Sequence, residues 1–407
     1  MSGLQPLDAG RSAVAIAELA ERRSAANEEF FGREAERIAR CCHELAQRFA
    51  RGGKLMAIGA TPSARSDARH VSVEFVHPVI VGKRALPAIA VCVEGGPLDL
   101  QLEGLAGESD AAIAFETDEP APGGPMAAAI EVVRGRGCQT IAFSPCGADW
   151  EFVSDVDDRF VRQELVETLY HVLWELVHVF FDHRGLLAGR EQRTTHDPGA
   201  SSFLYPFLSE GERNLDPVLD DVRRSVLLKS EEIGGLREET LNGNAAVLEA
   251  AASALRARFD AGGTLLALGN GGSATDAMDV VADFRDAGGG RWRARRAIDL
   301  TEDAPILTAV ANDVGVEEIF QRQVIAYGHE GDALIAFSTS GGSENMLEAL
   351  AEARRRGIET IAMVGYDGGR IAGEALADHV VISRSQHIPR IQEAQASAYH
   401  ALRELVG

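Results

Sequence analysis

The stretch Ala333–Asn345, ALIAFSTSGGSEN, carries the reading of the fold. Its apolar start, Ala333 to Phe337, predicts a short buried strand. A run of hydroxyls and glycines follows, Ser338-Thr339-Ser340-Gly341-Gly342-Ser343, and then apolar residues at helical spacing (Met346, Leu347, Leu350, Ala351). A strand that turns through serine and glycine into a helix aims backbone N–H groups and the positive end of the helix dipole at one point, where an anion is stabilised. Hydroxyls donate to phosphate oxygens without adding charge, and glycine lets the backbone come close. Taken alone, the run also reads as a serine-rich turn with an ordinary helix cap.

A second stretch upstream has the same layout. Thr264 to Leu268 reads as a strand, Gly269-Asn270-Gly271-Gly272-Ser273 as its turn, and Ala277, Val280, Val281 and Phe284 as the buried face of a helix. In one parallel sheet both turns would lie at the carboxyl edge, where open α/β sheets bind ligands. Neither turn reads GxGxxG and neither ends in GK[ST], which argues against dinucleotide or NTP binding.

Length and charge set the bounds. With 407 residues the chain predicts two or three domains. A net charge of −22 argues against a nucleic-acid partner or an anionic membrane surface, so a phosphorylated ligand needs a local anion site. The five cysteines (Cys41, Cys42, Cys92, Cys138, Cys146) form no CxxC, which suits a reducing cytoplasm and excludes a thiolate zinc site. No apolar run reaches membrane-spanning length, and the opening MSGLQPLDAGRS lacks a basic segment followed by an apolar core. The expectation is a cytoplasmic protein.

The pattern occurs twice. LAQRFARGGKLMAIG (Leu45–Gly59) is matched by LRARFDAGGTLLALG (Leu255–Gly269), DAAIAFETD (Asp110–Asp118) by DALIAFSTS (Asp332–Ser340), and RGCQTIA (Arg136–Ala142) by RGIETIA (Arg356–Ala362). Both closing helices carry Gln-Glu and then a histidine, Gln163-Glu164…His171 and Gln392-Glu393…His400. The order is the same in both halves, which predicts two fused copies of one α/β domain. The expected boundaries are residues 1–183 for copy one, 184–215 for a polar linker and 216–407 for copy two. Further strands are expected at Leu55–Ile58, Ile89–Val93, Ala112–Phe115 and Thr140–Phe143, with helices over Ala13–Phe49 and about Arg159–Phe181.

The copies differ in complementary ways. In copy one Ser338-Thr339-Ser340-Gly341 is replaced by Glu116-Thr117-Asp118-Glu119, whose carboxylates repel phosphate. Copy one instead carries His70 and Glu74 one helical turn apart, and Gln163 and His171 two turns apart. Two His, a Glu and a Gln form a nitrogen and oxygen set suited to a divalent ion such as zinc; singly, His70 reads as a surface histidine and His171 as a packed one. In copy two the first pair is Asp279 and Asp283, which reads more simply as a solvated helix face, while Gln392 and His400 remain.

GNGGSATDAM (Gly269–Met278), ANDVG (Ala311–Gly315), FSTSGGS (Phe337–Ser343), GYDGG (Gly365–Gly369) and RIQEAQASAYH (Arg390–His400) together resemble the phosphoheptose isomerases of the sugar-isomerase (SIS) superfamily, and a non-catalytic relative that associates with a replication initiator. The resemblance implies two flavodoxin-like SIS domains, each a parallel sheet sandwiched by helices. It implies phosphate held by Ser273, Ser338, Thr339, Ser340 and Ser343, with Asn270 and Asp313 near the sugar. The family's metal and acid–base positions fall on Asp279, Asp283, Gln392 and His400 in copy two, and on His70, Glu74, Gln163 and His171 in copy one. Zinc is implied at the copy-one set, and Glu74, His171 and His400 as acid–base groups. Family members are tetramers of one-domain subunits with active sites at interfaces. A fused pair is therefore expected to form a homodimer and to complete one pocket from both copies.

Aldose–ketose isomerisation moves a proton between the carbons of a carbonyl and its neighbouring hydroxyl through an enediol, and Glu, His and a divalent ion meet that need. The expected function is a phosphosugar isomerase acting on sedoheptulose 7-phosphate or a similar sugar. The alternatives are a non-catalytic phosphosugar-binding or protein-interaction SIS protein, and a different phosphosugar reaction such as aldol or lyase chemistry.

Overall fold

A computed structural model of the protein describes residues 9–79, 83–117, 121, 123–182 and 215–407. Asp118, Glu119 and Pro120 of the copy-one turn, and all but the last residue of the expected linker, lie outside the described residues. In chain order the first repeat contains α1 (Ala9–Ala50), β1 (Leu55–Gly59), α2 (Pro62–Val76), β2 (Ala88–Cys92), α3 (Leu98–Leu105), β3 (Ala111–Ala114), α4 (Pro125–Gly135), β4 (Gln139–Ala142), β5 (Trp150–Glu151) and α5 (Arg159–Asp182). Next come α6 (Leu215–Gly243), α7 (Ala245–Asp260), β6 (Leu265–Gly269), α8 (Gly272–Arg285), β7 (Ala297–Asp299), α9 (Ala304–Asp313) and α10 (Gln321–Tyr327). The chain continues with β8 (Ala333–Ser338), α11 (Glu344–Arg355), β9 (Glu359–Gly365), α12 (Gly369–Gly373), β10 (His379–Ser383) and α13 (Ile388–Val406).

These strands make two five-stranded sheets, ordered β2-β1-β3-β4-β5 and β10-β9-β8-β6-β7. Read from its other edge, the second is β7-β6-β8-β9-β10, the order of the first. Every pairing is parallel. This is the flavodoxin-like order, with helices on both faces. The central strands are buried along their whole length, as expected for parallel strands covered on both sides.

The repeat extends to single hydrogen bonds. Asp110 accepts from the amides of Lys54 (2.9 Å) and Gly107 (2.8 Å), and Asp332 accepts from those of Thr264 (2.8 Å) and His329 (2.9 Å). Each aspartate ties the start of one strand to the loop before its neighbour. Thr140 and Asp149 exchange three bonds in one sheet, and Thr360 and Asp378 exchange the same three in the other. Because two amides depend on the buried Asp332, Asp332→Ala is expected to destabilise the second repeat by about 2–4 kcal/mol, read from urea unfolding. A loss below about 0.5 kcal/mol, the usual range for surface substitutions, would show that the pin is dispensable.

The chain divides into two compact units at places other than the expected linker. One unit is Ala26–Glu232, and the other is Ile233–Gly407 with the chain up to Ala25. The boundaries fall inside α1 and α6, because each helix turns different apolar residues to different cores. Ile16 and Ala20 of α1 are buried with Leu248, Leu255 and Leu402 in the second unit. Val218, Val222 and Val226 of α6 are buried with Phe30, Leu169 and Trp174 in the first. Helix α5 is buried on nearly all sides because it lies within the first unit's core, where Val172, Leu173, Leu176, Val177 and Phe180 are at most 1% exposed. No helix among the described residues is long and apolar enough to cross a membrane.

Candidate active site

The turn after β8 is held by its own hydroxyls and by a glycine. Ser338 Oγ accepts from the Gly341 amide (3.0 Å) and Ser340 Oγ from the Gly342 amide (3.3 Å). A hydroxyl used as an acceptor still has its proton to give, so both can donate to an anion. Ser343 is the N-cap of α11 but makes no side-chain cap bond. In the first turn of α11 the Met346 amide donates to the Ser343 carbonyl at 2.9 Å, and the amides before it have no i−4 partner inside the helix. Gly341 has φ +62°, and a Cβ there would lie 2.3 Å from the Gly368 carbonyl oxygen. Gly269 plays a like part in the turn after β6, where a Cβ would lie 2.0 Å from Ser273 O. The two turns are joined by a reciprocal amide pair, in which Asn270 and Asn345 each donate to the other at 2.9 Å. Asn270 therefore braces the turns, a role that sequence reasoning did not give it.

Helix α8 leaves the first of these turns and packs against α13. Asp276, Asp279 and Asp283 follow at helical spacing and are 2%, 2% and 3% exposed. The reading of Asp279 and Asp283 as a solvated face is corrected here: α13 covers them. His400 Nε2 lies 3.5 Å from a carboxylate oxygen of each. One ligand atom from each of the three residues lies within 4.8 Å of the others, a group able to hold a metal ion. The Tyr399 hydroxyl donates to Asp279 Oδ2 at 2.7 Å. Burial, then the Asp279 charge, pushes the Asp276 carboxyl well above the ordinary range, against the pull of His400. Arg403 donates to the Asp283 and Asp286 carbonyls (3.0 and 3.3 Å), which fixes the end of α8. Gln392, also buried, lies two turns before His400. Asp313, at the end of α9, is exposed and accepts from the Asn312 amide (2.7 Å).

The first unit repeats this construction with different donors. On α2 and α5, His70 Nε2 and His171 Nε2 are 3.4 Å apart, and the Tyr170 hydroxyl is 2.8 Å from His70 Nδ1. Tyr170 thus treats His70 as Tyr399 treats Asp279. Glu74 Oε1 is 3.9 Å from His70 Nε2. The carboxylate grouped with the two histidines is Glu167, one turn before His171, and all three residues are buried. Gln163, expected in this set, is half-buried further along α5. Burial, then the charge of His171, lowers the His70 pKa well below its usual value. Burial pushes Glu74 up to about 7, with His171 opposing and Glu175 adding to the rise.

The profile of the SIS domain matches residues 230–365. A phosphoheptose isomerase from Chlorobium phaeobacteroides is 42% identical over 174 residues, 42% of this chain and 76% of that protein. The chain belongs to the phosphoheptose isomerase family of SIS-domain proteins. A second phosphoheptose isomerase, from Pelodictyon phaeoclathratiforme, is 38% identical over 202 residues, 49% of this chain and 91% of the relative. The fold of both units is seen in the tagatose-6-phosphate ketose/aldose isomerase from Escherichia coli, with a TM-score of 0.57 at 10% identity over 99% of this chain and 94% of the other. Sequence reasoning named the histidines, both turns and the first-unit Glu74, which the structure places on α2, α5, α13 and the turns after β6 and β8. It gave no site role to Glu167, Asp276, Asn345 or the two tyrosines, which the structure packs against those residues. Glu167 was visible as a Glu one turn before His171, and Asp276 as an Asp one turn before Asp279.

Proposed function

We propose that the second unit interconverts an aldose phosphate and a ketose phosphate, with sedoheptulose 7-phosphate or a sugar of like length as substrate. The observation that carries this reading is that one sheet bears both the hydroxyl turn after β8 and the helices of the buried Asp279–Asp283–His400 group. The similarity to phosphoheptose isomerases supports the choice of sugar.

In this reading Ser338, Thr339, Ser340 and Ser343 take the phosphate with Ser273, and the first turn of α11 adds its dipole. Asp283 removes the proton from the carbon beside the carbonyl, leaving an enediolate. His400 gives a proton to the carbonyl oxygen and takes one from the neighbouring hydroxyl, and Asp283 returns its proton to the other carbon. Asp313 lies on the side of the sugar. Asp279, Asp283, Gln392 and His400 would hold a divalent ion, which when bound polarises the carbonyl. The first unit's Glu74 and His171, expected as acid–base groups, belong to a unit whose turn begins with Glu116 in place of Ser338, and we assign them to metal binding. Incubation with sedoheptulose 7-phosphate in deuterated water should place deuterium on the carbon beside the carbonyl. A melting-temperature shift on binding with no exchange would overturn the enzymatic reading.

The working particle in this proposal is a cytoplasmic homodimer. Free thiols at all five cysteines support the compartment. Helix α9 has no buried residue, and Val314 and Val316 beyond it are 48% and 61% exposed, which supports a partner surface. Light scattering at micromolar concentration should give twice the 43.5 kDa chain mass. A monomer would overturn the dimer.

A further inference from the structure

The amide pair between the turns after β6 and β8 joins two residues in unlike surroundings. Asn345, the second residue of α11, is 7% exposed, whereas Asn270 is exposed in the turn after β6. Each side-chain amide donates to the other's oxygen at 2.9 Å. A carboxamide has two N–H groups and two lone pairs, and the pair uses one of each per residue. Asn270 therefore keeps one N–H and one lone pair for a group arriving from solvent. Turning one amide over alone would set N–H against N–H and oxygen against oxygen. The buried Asn345 thus fixes which way the Asn270 amide faces.

Asn345 also belongs to the helix end assigned above to the phosphate. As the second helical residue, its backbone amide has no i−4 partner inside α11. One residue therefore offers its main chain to an anion and its side chain to Asn270.

The first unit shows that the fold does not require the pair. Its sheet has the same strand order. Ala60 stands in place of Asn270 in the turn after β1, and α4 opens at Gly124-Pro125-Met126, three residues without an amide side chain. This is also the unit with Glu116 in place of Ser338. The amide pair and the Ser338 hydroxyl are absent together, as parts serving one ligand would be.

We propose that Asn345 is a positioning residue for the sugar. It holds Asn270 so that the spare N–H and lone pair meet hydroxyls of the bound sugar while the phosphate sits at the start of α11. A polyol chain offers both acceptors and donors, so it can use both. The proposal rests on the phosphosugar reading of the second unit.

The test is calorimetry on the full chain with sedoheptulose 7-phosphate and with inorganic phosphate, for Asn345→Ala, Asn270→Ala and the double variant. Asn345→Ala should weaken the sugar phosphate by about tenfold, the loss of a hydrogen bond or two, and inorganic phosphate by less than about threefold. The double variant should be within about twofold of the weaker single one, because residues acting as a unit do not add. In turnover the loss should fall on KM, with kcat within about threefold, as for a contact made equally before and during the reaction. Equal weakening of both ligands would reduce Asn345 to shaping the turn. Unchanged sugar-phosphate affinity, multiplying losses in the double variant, or a loss confined to kcat would each overturn the proposal too. The unchanged protein decides the matter if Asn345→Ala fails to fold. With isotope-labelled asparagine, one side-chain proton of Asn270 should be slow to exchange, and its resonance should move with the sugar phosphate and stay in place with inorganic phosphate. Fast exchange of both protons, or no movement, would overturn it. An unchanged protein that binds inorganic phosphate but no sugar phosphate would sink the reading of the second unit and this proposal with it. Intact sugar-phosphate binding in Asn345→Ala would remove this proposal alone.

Discussion

Asp283→Asn is expected to lower kcat by about 10²–10⁴-fold, the range associated with losing a positioned general base. The change keeps the shape of the side chain and removes only its basic oxygen. Asp283 is 3% exposed and lies 3.5 Å from His400, so no other carboxylate is drawn into its place without moving α8 against α13. The turn after β8, proposed above to take the phosphate, is separate in sequence from α8, and its Ser338 and Ser340 hydroxyls accept from the amides of Gly341 and Gly342. Inorganic phosphate should therefore raise the melting temperature of the variant as it does that of the unchanged protein. That pairing separates a lost base from a damaged fold. Turnover within threefold of the unchanged protein would remove Asp283 from the reaction and with it the assignment of chemistry to the second unit.

The fold was legible because both sheets are written in short apolar runs, the first of which in each sheet ends at glycine. Gly59 and Gly269 close matching strands, and in each the following helix packs too near to admit a Cβ. The internal repeat supplied the rest, since Asp110 and Asp332 keep the same hydrogen bonds in sheets of the same order. The division between units was not legible. It depends on which face of α1 and α6 meets which core, and Ile16 and Val218 look alike in sequence. Glu167 escaped for a related reason. A Glu inside an apolar helix usually marks its wet side, and only the packing of α2 on α5 turns that residue inward beside His171. The carboxylates of α8 were misread in the same way, because the covering helix α13 lies more than a hundred residues later. Local pattern thus gave the elements and the turns, while the donor sets required knowing which helices meet.

Gly341→Ala is expected to abolish the phosphate-induced melting shift and to lower kcat/KM by about 100-fold, the cost of misplacing a reacting group by about 1 Å. Two independent constraints meet at this residue. Its φ of +62° is strained for any L side chain, and the added Cβ would stand 2.3 Å from the Gly368 oxygen and 2.8 Å from the Gly368 carbonyl carbon. Those atoms are backbone, so no rotamer relieves the collision. They cannot retreat freely either, because Gly341 O accepts from the Ile371 amide at 3.0 Å and Gly365 donates to Thr339 O at 3.1 Å, which fastens the turn after β8 to the one after β9. The strain should cost about 1–3 kcal/mol of stability, small enough to leave the sheet folded. Gly342→Ala is the comparison within the same turn: its Cβ would meet only Ser340 O, at 4.0 Å. Its effect on phosphate binding should be several-fold smaller. Equal losses in the two variants would mean that any side chain in the run blocks the anion, and the argument from backbone geometry at Gly341 would fail. A Gly341→Ala protein that still gains stability from phosphate would show that the anion binds elsewhere.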